Sequence, residues 1–101
     1  MPEALARPWL QSYPPGVPAQ IDTSRYASLV ELLEAAFRRH PEREAARFMH
    51  HPLRYADLDV DSAALAAWLQ SCDLAPGSRV ALMMPNLPQY MVALAAVLRA
   101  G

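Results

Sequence analysis

Alternating carboxylates are the first feature of this sequence that could do chemistry. Asp57, Asp59 and Asp61 lie close together, and carboxylates are the ligands that hard cations such as Mg²⁺ prefer. The surrounding pattern predicts a helix, however, and helical residues two positions apart point about 200° away from each other. Because the three side chains then cannot converge on one ion, we interpret them as a solvated, dipole-complementing helix start.

Histidine and cysteine provide the candidates for nucleophilic or metal chemistry. His50 and His51 are adjacent, so in a strand they would point to opposite faces and share no metal. Cys72 with His40 could supply a nucleophile and a base, but no nucleophile elbow or oxyanion-hole signature accompanies them. We interpret the adjacent histidines as turn or surface residues and the thiol as part of a helix-end core.

Phosphate binding and acyl binding are the remaining chemical possibilities. A loop that cradles phosphate needs closely spaced glycines, commonly beside a lysine. This chain has three widely separated glycines, and all nine of its cationic residues are arginine. Met83, Met84 and Met91 could line an acyl pocket, although an ordinary core explains them as well. We therefore assign no catalytic, cofactor-binding or metal-binding residue between residues 1 and 101.

The composition excludes several classes of protein. At 101 residues, 53% of them hydrophobic, the chain has the size of one small domain with a modest core. Its net charge of −1 provides no basic field for nucleic acid. The single cysteine allows no intrachain disulfide, the N-terminus lacks a signal-peptide pattern, and the apolar runs fall short of the ~20 residues that cross a bilayer. We expect a cytoplasmic protein.

Residues 1–26 are predicted to form a proline-rich N-terminal arm. The prolines in "RPWLQSYPPGVPAQID" remove backbone donors and favour extended neighbours. The arm is too apolar for a solvated linker, and we expect it to lie against the body of a protein. Its aromatic residues beside Arg7 would also suit a membrane interface, so peripheral contact with the inner membrane stays open as an alternative.

Residues 27–101 begin with an amphipathic helix followed by a hairpin. Ser28 and Glu31 form a capping-box pattern, and the helix should end near His40, before a proline. The segment "EAARFMHHPLRYADL" predicts two short strands, about 46–50 and 53–55, that are joined through residues 51 and 52. A second helix is expected over residues 56–72.

The last 26 residues, "PGSRVALMMPNLPQYMVALAAVLRAG", predict the first half of a βαβ unit. Pro76 and Gly77 suit the centre of a type II turn. The continuous apolar run "RVALMM" predicts a strand that is covered on both faces, as in a parallel sheet. Asn86 is the expected N-cap of the next helix, and Gly101 marks its C-terminal end. A helix that is apolar nearly all round belongs inside a larger protein.

Together these segments resemble a known family. The stretches "RPWLQSYPPGVPAQID", "SLVELLEAAFRRHPEREA" and "LRYADLDVDSAALAAWLQSCDLAPGSRVALMMPNLPQYMVALAAVLRAG" look like the start of a bacterial long-chain fatty-acid–CoA ligase, of the adenylate-forming superfamily. The arm points to the long-chain subfamily, whereas residues 76–101 support only the superfamily. Family members usually have threonine where this chain has Arg54, and aspartate where it has Ser78.

The resemblance implies an α/β fold, namely an incomplete N-terminal portion of the large adenylate-forming domain: helices, a short β-hairpin, and the first strand and helix of a βαβ unit. It implies an enzyme that uses ATP, Mg²⁺ and CoA to convert a fatty acid through an acyl-adenylate to acyl-CoA. The phosphate loop, the Mg²⁺-binding position and the catalytic lysine of the family would lie beyond residue 101. Only the loop 84–86 has a positional claim on the active site, and strand ending and helix capping already explain it.

Two other interpretations stay open at this point. The chain could be a stand-alone dimerisation or interaction module derived from the ligase, or part of a ligase for medium-chain or aromatic acids. If it is a truncated portion of a ligase, we expect it to be inactive alone. We also expect it to self-associate, because its first buried strand and helix would lack most of their cover.

Overall fold

The computed structural model describes residues 6–101; the first five residues of the predicted arm lie outside the described residues. Three α-helices and a two-stranded antiparallel sheet make up an α/β arrangement, as predicted. A short 3₁₀ helix precedes them in the arm. The elements are the 3₁₀ helix Pro8–Ser12, α1 Leu29–Arg39, β1 Glu44–Phe48, β2 His51–Arg54, α2 Tyr55–Gln70 and α3 Pro88–Ala100.

The ends of α1 follow from its local sequence. Ser28 is the N-cap, and its hydroxyl oxygen accepts a hydrogen bond of 3.1 Å from the Glu31 N–H. The Glu31 carboxylate reaches back to the Ala27 N–H at 2.8 Å, one residue earlier than in an ideal capping box. His40 is the C-cap, directly before Pro41. The predicted start, end and capping pattern of this helix are confirmed.

The hairpin turns earlier than predicted. Met49 and His50 form the turn with φ of 47° and 66°, and Phe48 pairs with His51 on either side of it. Positive φ at both central residues is what a type I′ turn requires, and its twist matches that of the strands. The predicted turn through residues 51 and 52 is therefore wrong, because Pro52 is accommodated in the second strand of a sheet that has only edges.

Helix α2 follows β2 without a loop. Arg54 is its N-cap and contributes no side-chain acceptor, but the Asp57 carboxylate accepts a 3.0 Å hydrogen bond from the Arg54 N–H. The first two helical N–H groups, of Tyr55 and Ala56, donate to the carbonyls of Arg43 and Pro41, both at 2.9 Å. These bonds satisfy donors that every helix N-terminus leaves without an intrahelical partner.

The segment that joins α2 to α3 departs from the prediction. The type II turn is present, since Gly77 has φ of 82° and the Ser78 N–H donates to the Ala75 carbonyl at 3.0 Å. Within the described residues, however, no strand forms over residues 79–84, because the chain provides nothing to pair with them. The predicted first strand of a βαβ unit is thus not assembled.

Helix α3 starts one residue later than predicted. Its N-cap is Leu87, with φ −122° and ψ 156°, and Pro88 occupies the first helical position. Proline restricts its predecessor to extended conformations, so Leu87 rather than Asn86 makes the transition into the helix. Gly101 is the C-cap with φ of 96°, as predicted.

The core is small and lies where the three helices meet the hairpin. Phe37, Leu58 and Ala95 are each at most 3% exposed, and half-buried residues surround them. The α2–α3 contact is the most extensive between elements, and alanines lie buried along it: Ala66, Ala93 and Ala96. Small side chains let the two helix backbones approach closely. Burial of Phe37 contributes on the order of 2 kcal/mol.

Candidate functional site

Among the described residues, the guanidinium of Arg99, near the end of α3, makes an extensive set of polar contacts. Its Nη1 lies 2.9 Å from each of three acceptors: the backbone oxygen of Asp59, the Oδ1 of Asp59 and the hydroxyl of Ser62. Its Nε lies 3.3 Å from Glu34 Oε1. The guanidinium carbon also lies 5.7 Å from the centroid of the Phe37 ring. We call Arg99, Asp59, Ser62 and Glu34 the Arg99 cluster.

The Arg99 cluster joins all three α-helices. Ser62 is fully buried, and its hydroxyl donates to the Asp59 carbonyl at 3.2 Å while it accepts from Arg99. The Arg99 side chain is 17% exposed, so its charge is largely removed from water but paired with two carboxylates. A buried charge with satisfied hydrogen bonds fixes the relative position of the elements that carry it. The arrangement is that of a structural contact between the three helices.

Sequence reasoning missed the Arg99 cluster. Asp59 was interpreted as part of a solvated helix start, whereas its carboxylate pairs with Arg99 forty residues later. The described residues gather no group of three or more His, Cys, Asp or Glu side chains that could hold an ion. A lone arginine at the end of an otherwise apolar helix was the available signal, because a charge there requires a partner.

The candidate histidines and the cysteine belong to different secondary-structure elements or to the loops beside them. His50 is in the hairpin turn and His51 begins β2, both exposed. His40 caps α1, whereas Cys72 is half-buried after α2 and its thiol donates to the Trp68 carbonyl at 3.3 Å. His40 therefore lies at the C-terminal end of α1, and Cys72 lies just after the C-terminal end of α2.

Asn86, the last residue of the loop 84–86 that has a positional claim on an active site, lines a shallow groove. The groove has a volume of about 250 Å³ and lies between β1 and the start of α3. Arg47, Phe48, Asn86 and Tyr90 are among its lining residues. Arg47 is engaged by Glu44 at 2.6 Å, and this hydrogen bond raises the pKa of the Arg47 guanidinium above its ordinary value. The groove thus offers aromatic and apolar walls with one cation, which is already paired.

A second concavity lies at the opposite end of α3. It has a volume of about 210 Å³ and is bounded by the ends of α2 and α3 and by the turn between them. We call it the turn cavity. Leu69, Leu74, Val80 and Val97 give it an apolar lining, and Gly101 lies at its edge. Its chemistry suits an aliphatic side chain rather than a charged ligand.

Asp22, the carboxyl group with a lowered pKa among residues 6–101, does not mark a site. The Ser24 hydroxyl and N–H both donate to the Asp22 carboxylate, and these hydrogen bonds hold the pKa of Asp22 below its ordinary value, with help from the charge of Arg25. Asp22 is exposed in the arm and lies in no concavity. Perturbed groups indicate function when they lie in a cleft. This one stabilises a local turn.

Residues 6–101 therefore provide no group of side chains that we identify as a reaction centre. The described helices include none that is both long enough and apolar enough to cross a membrane. The donor sets that ATP-bound Mg²⁺ would need are not gathered by residues 6–101.

Comparison with known proteins provides independent information. A sequence model of the family described as AMP-binding enzyme matches residues 33–101. A long-chain-fatty-acid–CoA ligase of Yersinia pestis is 47% identical over 98 residues, which cover 96% of this chain and 17% of that protein. A ligase of the same description from Salmonella typhimurium is 48% identical over 98 residues, covering 96% of this chain and 18% of its own.

A more distant relative acts on another acid. The salicyl-AMP ligase / salicyl-S-ArCP synthetase of Mycobacterium tuberculosis is 43% identical over 79 residues, which cover 73% of this chain and 14% of that protein. The chain spans less than a fifth of the length of these curated relatives. No solved structure matches it significantly.

Proposed function

This chain belongs to the AMP-binding enzyme family, and from that premise we propose that it forms the N-terminal scaffold of a long-chain fatty-acid–CoA ligase. In the proposed reaction a fatty carboxylate attacks the α-phosphorus of ATP, forming an acyl-adenylate as pyrophosphate leaves. The thiolate of CoA then attacks the acyl carbon, forming the thioester as AMP leaves. The chain's own residues hold the first helices and the hairpin of the adenylating domain in place.

One observation carries this proposal. Identity of 47–48% with the ligases extends over 96% of the chain and so includes most of the arm, although the family match begins only at residue 33. The salicyl-AMP ligase aligns with 73% of the chain. Similarity over the arm therefore favours long-chain acids over aromatic or medium-chain ones.

We also propose a division of the chain into an arm, residues 1–26, and the start of the adenylating domain, residues 27–101.

The proposed cofactors and partners follow from the ligase relatives. The whole protein would use ATP, Mg²⁺, CoA and a fatty acid, and would work in the cytoplasm. Residues 6–101 offer no Mg²⁺ site, so no step of the reaction is derived from a metal bound to them. Trp9 is 53% exposed and Tyr13 39%, which is compatible with peripheral contact at the inner membrane as well as with packing on the rest of the enzyme.

The test is an assay of the protein encoded by the native reading frame that contains this chain. We expect the frame to continue past the codon for Gly101 into a glycine- and threonine-rich loop, and its product to convert long fatty acids to acyl-CoA with ATP and CoA. Fatty acids of graded length and salicylate serve as the substrate series. The purified 101-residue chain is the control and should catalyse no ATP–pyrophosphate exchange.

Three results would contradict the proposal. A reading frame that stops after Gly101 would favour a stand-alone dimerisation or interaction module. A clear preference for salicylate or medium-chain acids would change the substrate class. ATP–pyrophosphate exchange by the 101-residue chain alone would overturn its role as a scaffold. We also propose that the isolated chain self-associates through its uncovered apolar surface.

A further inference from the structure

Helix α2 has a second apolar side, which faces away from the core. Leu58 on its inner side packs with Phe37 and Ala95. Four exposed apolar residues lie on the opposite side at spacings of three and four: Val60, Ala64, Ala67 and Trp68. We call these four residues the outer face of α2.

The outer face differs from the other exposed apolar parts of the chain. It belongs to a helix whose backbone is already hydrogen-bonded, unlike the unpaired run of residues 79–84. Side-chain contacts alone would therefore be enough to cover it. Val60 is 68% exposed and Trp68 61%, and an exposed tryptophan beside further apolar residues is typical of a protein-binding surface.

The charges beside the outer face all have one sign. Residues 55–78 include no lysine, arginine or histidine, but they include four aspartates. Asp59 is engaged by Arg99. The other three are exposed, and the ion pairs recorded among residues 6–101 include none of them: Asp57, Asp61 and Asp73. The surroundings of the outer face are therefore acidic.

The stability of the helix does not explain Asp61. Asp57 lies in the first turn, where the helix dipole favours it and where its carboxylate accepts the Arg54 N–H. Asp61 lies one turn later, where the dipole contributes little, and it is four residues from Asp57. Like charges at that spacing repel each other. A cation from outside the helix would relieve this repulsion.

We propose that the outer face of α2 binds an amphipathic helix of another protein, one whose apolar side is bordered by lysine or arginine. Its apolar side covers Val60 and Trp68, and its cations face Asp57 and Asp61. The small side chains of the alanines between them let the two helices approach closely.

Charge selects this partner over two others. Contact between the outer faces of two copies of this chain would bring only carboxylates together, since α2 carries no cation. An anionic lipid surface would be repelled for the same reason. The binding surface goes beyond the proposed ligase function and does not depend on it.

The probe is a synthetic amphipathic peptide of about five helical turns, with leucines along one side and lysines elsewhere. The 101-residue chain carries Trp9→Phe, so that Trp68 is its single tryptophan, and Met83→Glu to limit self-association. We expect the peptide to shift Trp68 fluorescence to shorter wavelength. Asp61→Asn should weaken binding about threefold, and Ala64→Arg about tenfold or more.

Matched controls separate the outer face from general effects of charge and hydrophobicity. Glu42→Gln removes an exposed carboxylate outside α2 and should leave binding unchanged. A peptide of the same composition, with its leucines scattered around the helix, should bind poorly. Circular dichroism should show that both α2 variants remain helical.

Four results would overturn the proposal: no binding of the amphipathic peptide, equal binding of the scattered one, equal weakening by Asp61→Asn and Glu42→Gln, or preference for phosphatidylglycerol vesicles over the peptide. Calorimetry with the protein encoded by the native reading frame should give a comparable affinity. Loss of binding there would show that other residues of that protein cover the outer face, which also contradicts the proposal. These measurements need no fatty acid or ATP, so their failure is distinguishable from failure of the ligase assay.

Discussion

At the scale of single residues, Arg99 shows how one half-buried cation can organise a small fold. Its guanidinium is held by acceptors on α1 and α2, while its backbone is one residue from the end of α3. Arginine suits this position because its planar fork presents several donors in a fixed geometry, which a lysine ammonium cannot match. Arg99 thereby ties the end of α3 to the other two helices, next to the point where the Gly101 carbonyl accepts a 2.7 Å hydrogen bond from the Gly77 N–H.

Replacement of Arg99 should destabilise the chain. Arg99→Ala removes the donor to buried Ser62 and leaves Glu34 and Asp59 without their partner, so we expect the free energy of unfolding to fall by about 1–2 kcal/mol, a range that allows for the solvent exposure of both carboxylates. Arg99→Lys should recover less than half of the loss, because one ammonium cannot serve all the acceptors. Urea denaturation followed by circular dichroism measures both changes.

The control for this prediction is Arg79→Ala. Arg79 is exposed in the unpaired run, and the described residues place no carboxylate within 4.0 Å of it. Its removal should change the free energy of unfolding by no more than about 0.5 kcal/mol. Equal effects of the two alanine substitutions would show that the Arg99 cluster contributes nothing specific.

At the scale of elements, the backbone of the hairpin turn is strained. Met49 and His50 both have positive φ, a conformation that costs a residue with a side chain roughly 1–2 kcal/mol. Met49 is also 75% exposed, so its side chain gains little from packing. The hairpin forms nevertheless, because Leu53 and Ala45 on its two strands pack against the core.

Relief of this strain should stabilise the chain. Met49→Asn combined with His50→Gly introduces the residues that a type I′ turn favours, so we expect the free energy of unfolding to rise by about 1 kcal/mol. The midpoint of urea denaturation measures the gain. Met83→Asn is the matched control, since it replaces another strongly exposed methionine that lies outside any positive-φ turn, and it should give no comparable gain. A loss of stability in the double variant would contradict the assigned turn.

The elements also show what the sequence can and cannot predict. Helix α1 and the turn at Gly77 were predictable because capping residues and a Pro-Gly pair act within four positions of themselves. The hairpin turn was misplaced because Pro52 is a stronger local signal than Met49, whereas register depends on which strand residues reach the core. The run 79–84 was predicted as a strand from its composition alone, but a strand needs a partner that local sequence does not contain. The Arg99 cluster joins residues forty positions apart and was missed for the same reason.

At the scale of the whole molecule, the chain is more open than its size requires. Its radius of gyration is 17.7 Å, whereas a compact domain of this length has about 13 Å. Its accessible surface of 8324 Å² is roughly half as much again as the ~5,700 Å² expected for a compact monomer of its mass. The excess includes large apolar side chains, among them Ile21 at 81% and Met83 at 96% exposure.

The arm does not pack on the rest of the described chain as expected. Most residues from 6 to 25 are exposed.

This openness predicts that the isolated chain self-associates. Exposed apolar surface and an unpaired backbone edge associate with copies of themselves when no other partner is present. Light scattering at micromolar concentration should therefore detect dimers or larger species. Met83→Glu should weaken association by about tenfold or more, because contact would bury a carboxylate next to the unpaired run.

Val60→Glu is the matched control for that substitution. Val60 is 68% exposed on α2, so the change adds the same charge at an exposed apolar position of a helix whose backbone is already hydrogen-bonded. It should leave association unchanged if the edge at residues 79–84 carries the contact. A monodisperse monomer of the unmodified chain at micromolar concentration, or equal weakening by both glutamate substitutions, would show that this edge does not drive self-association.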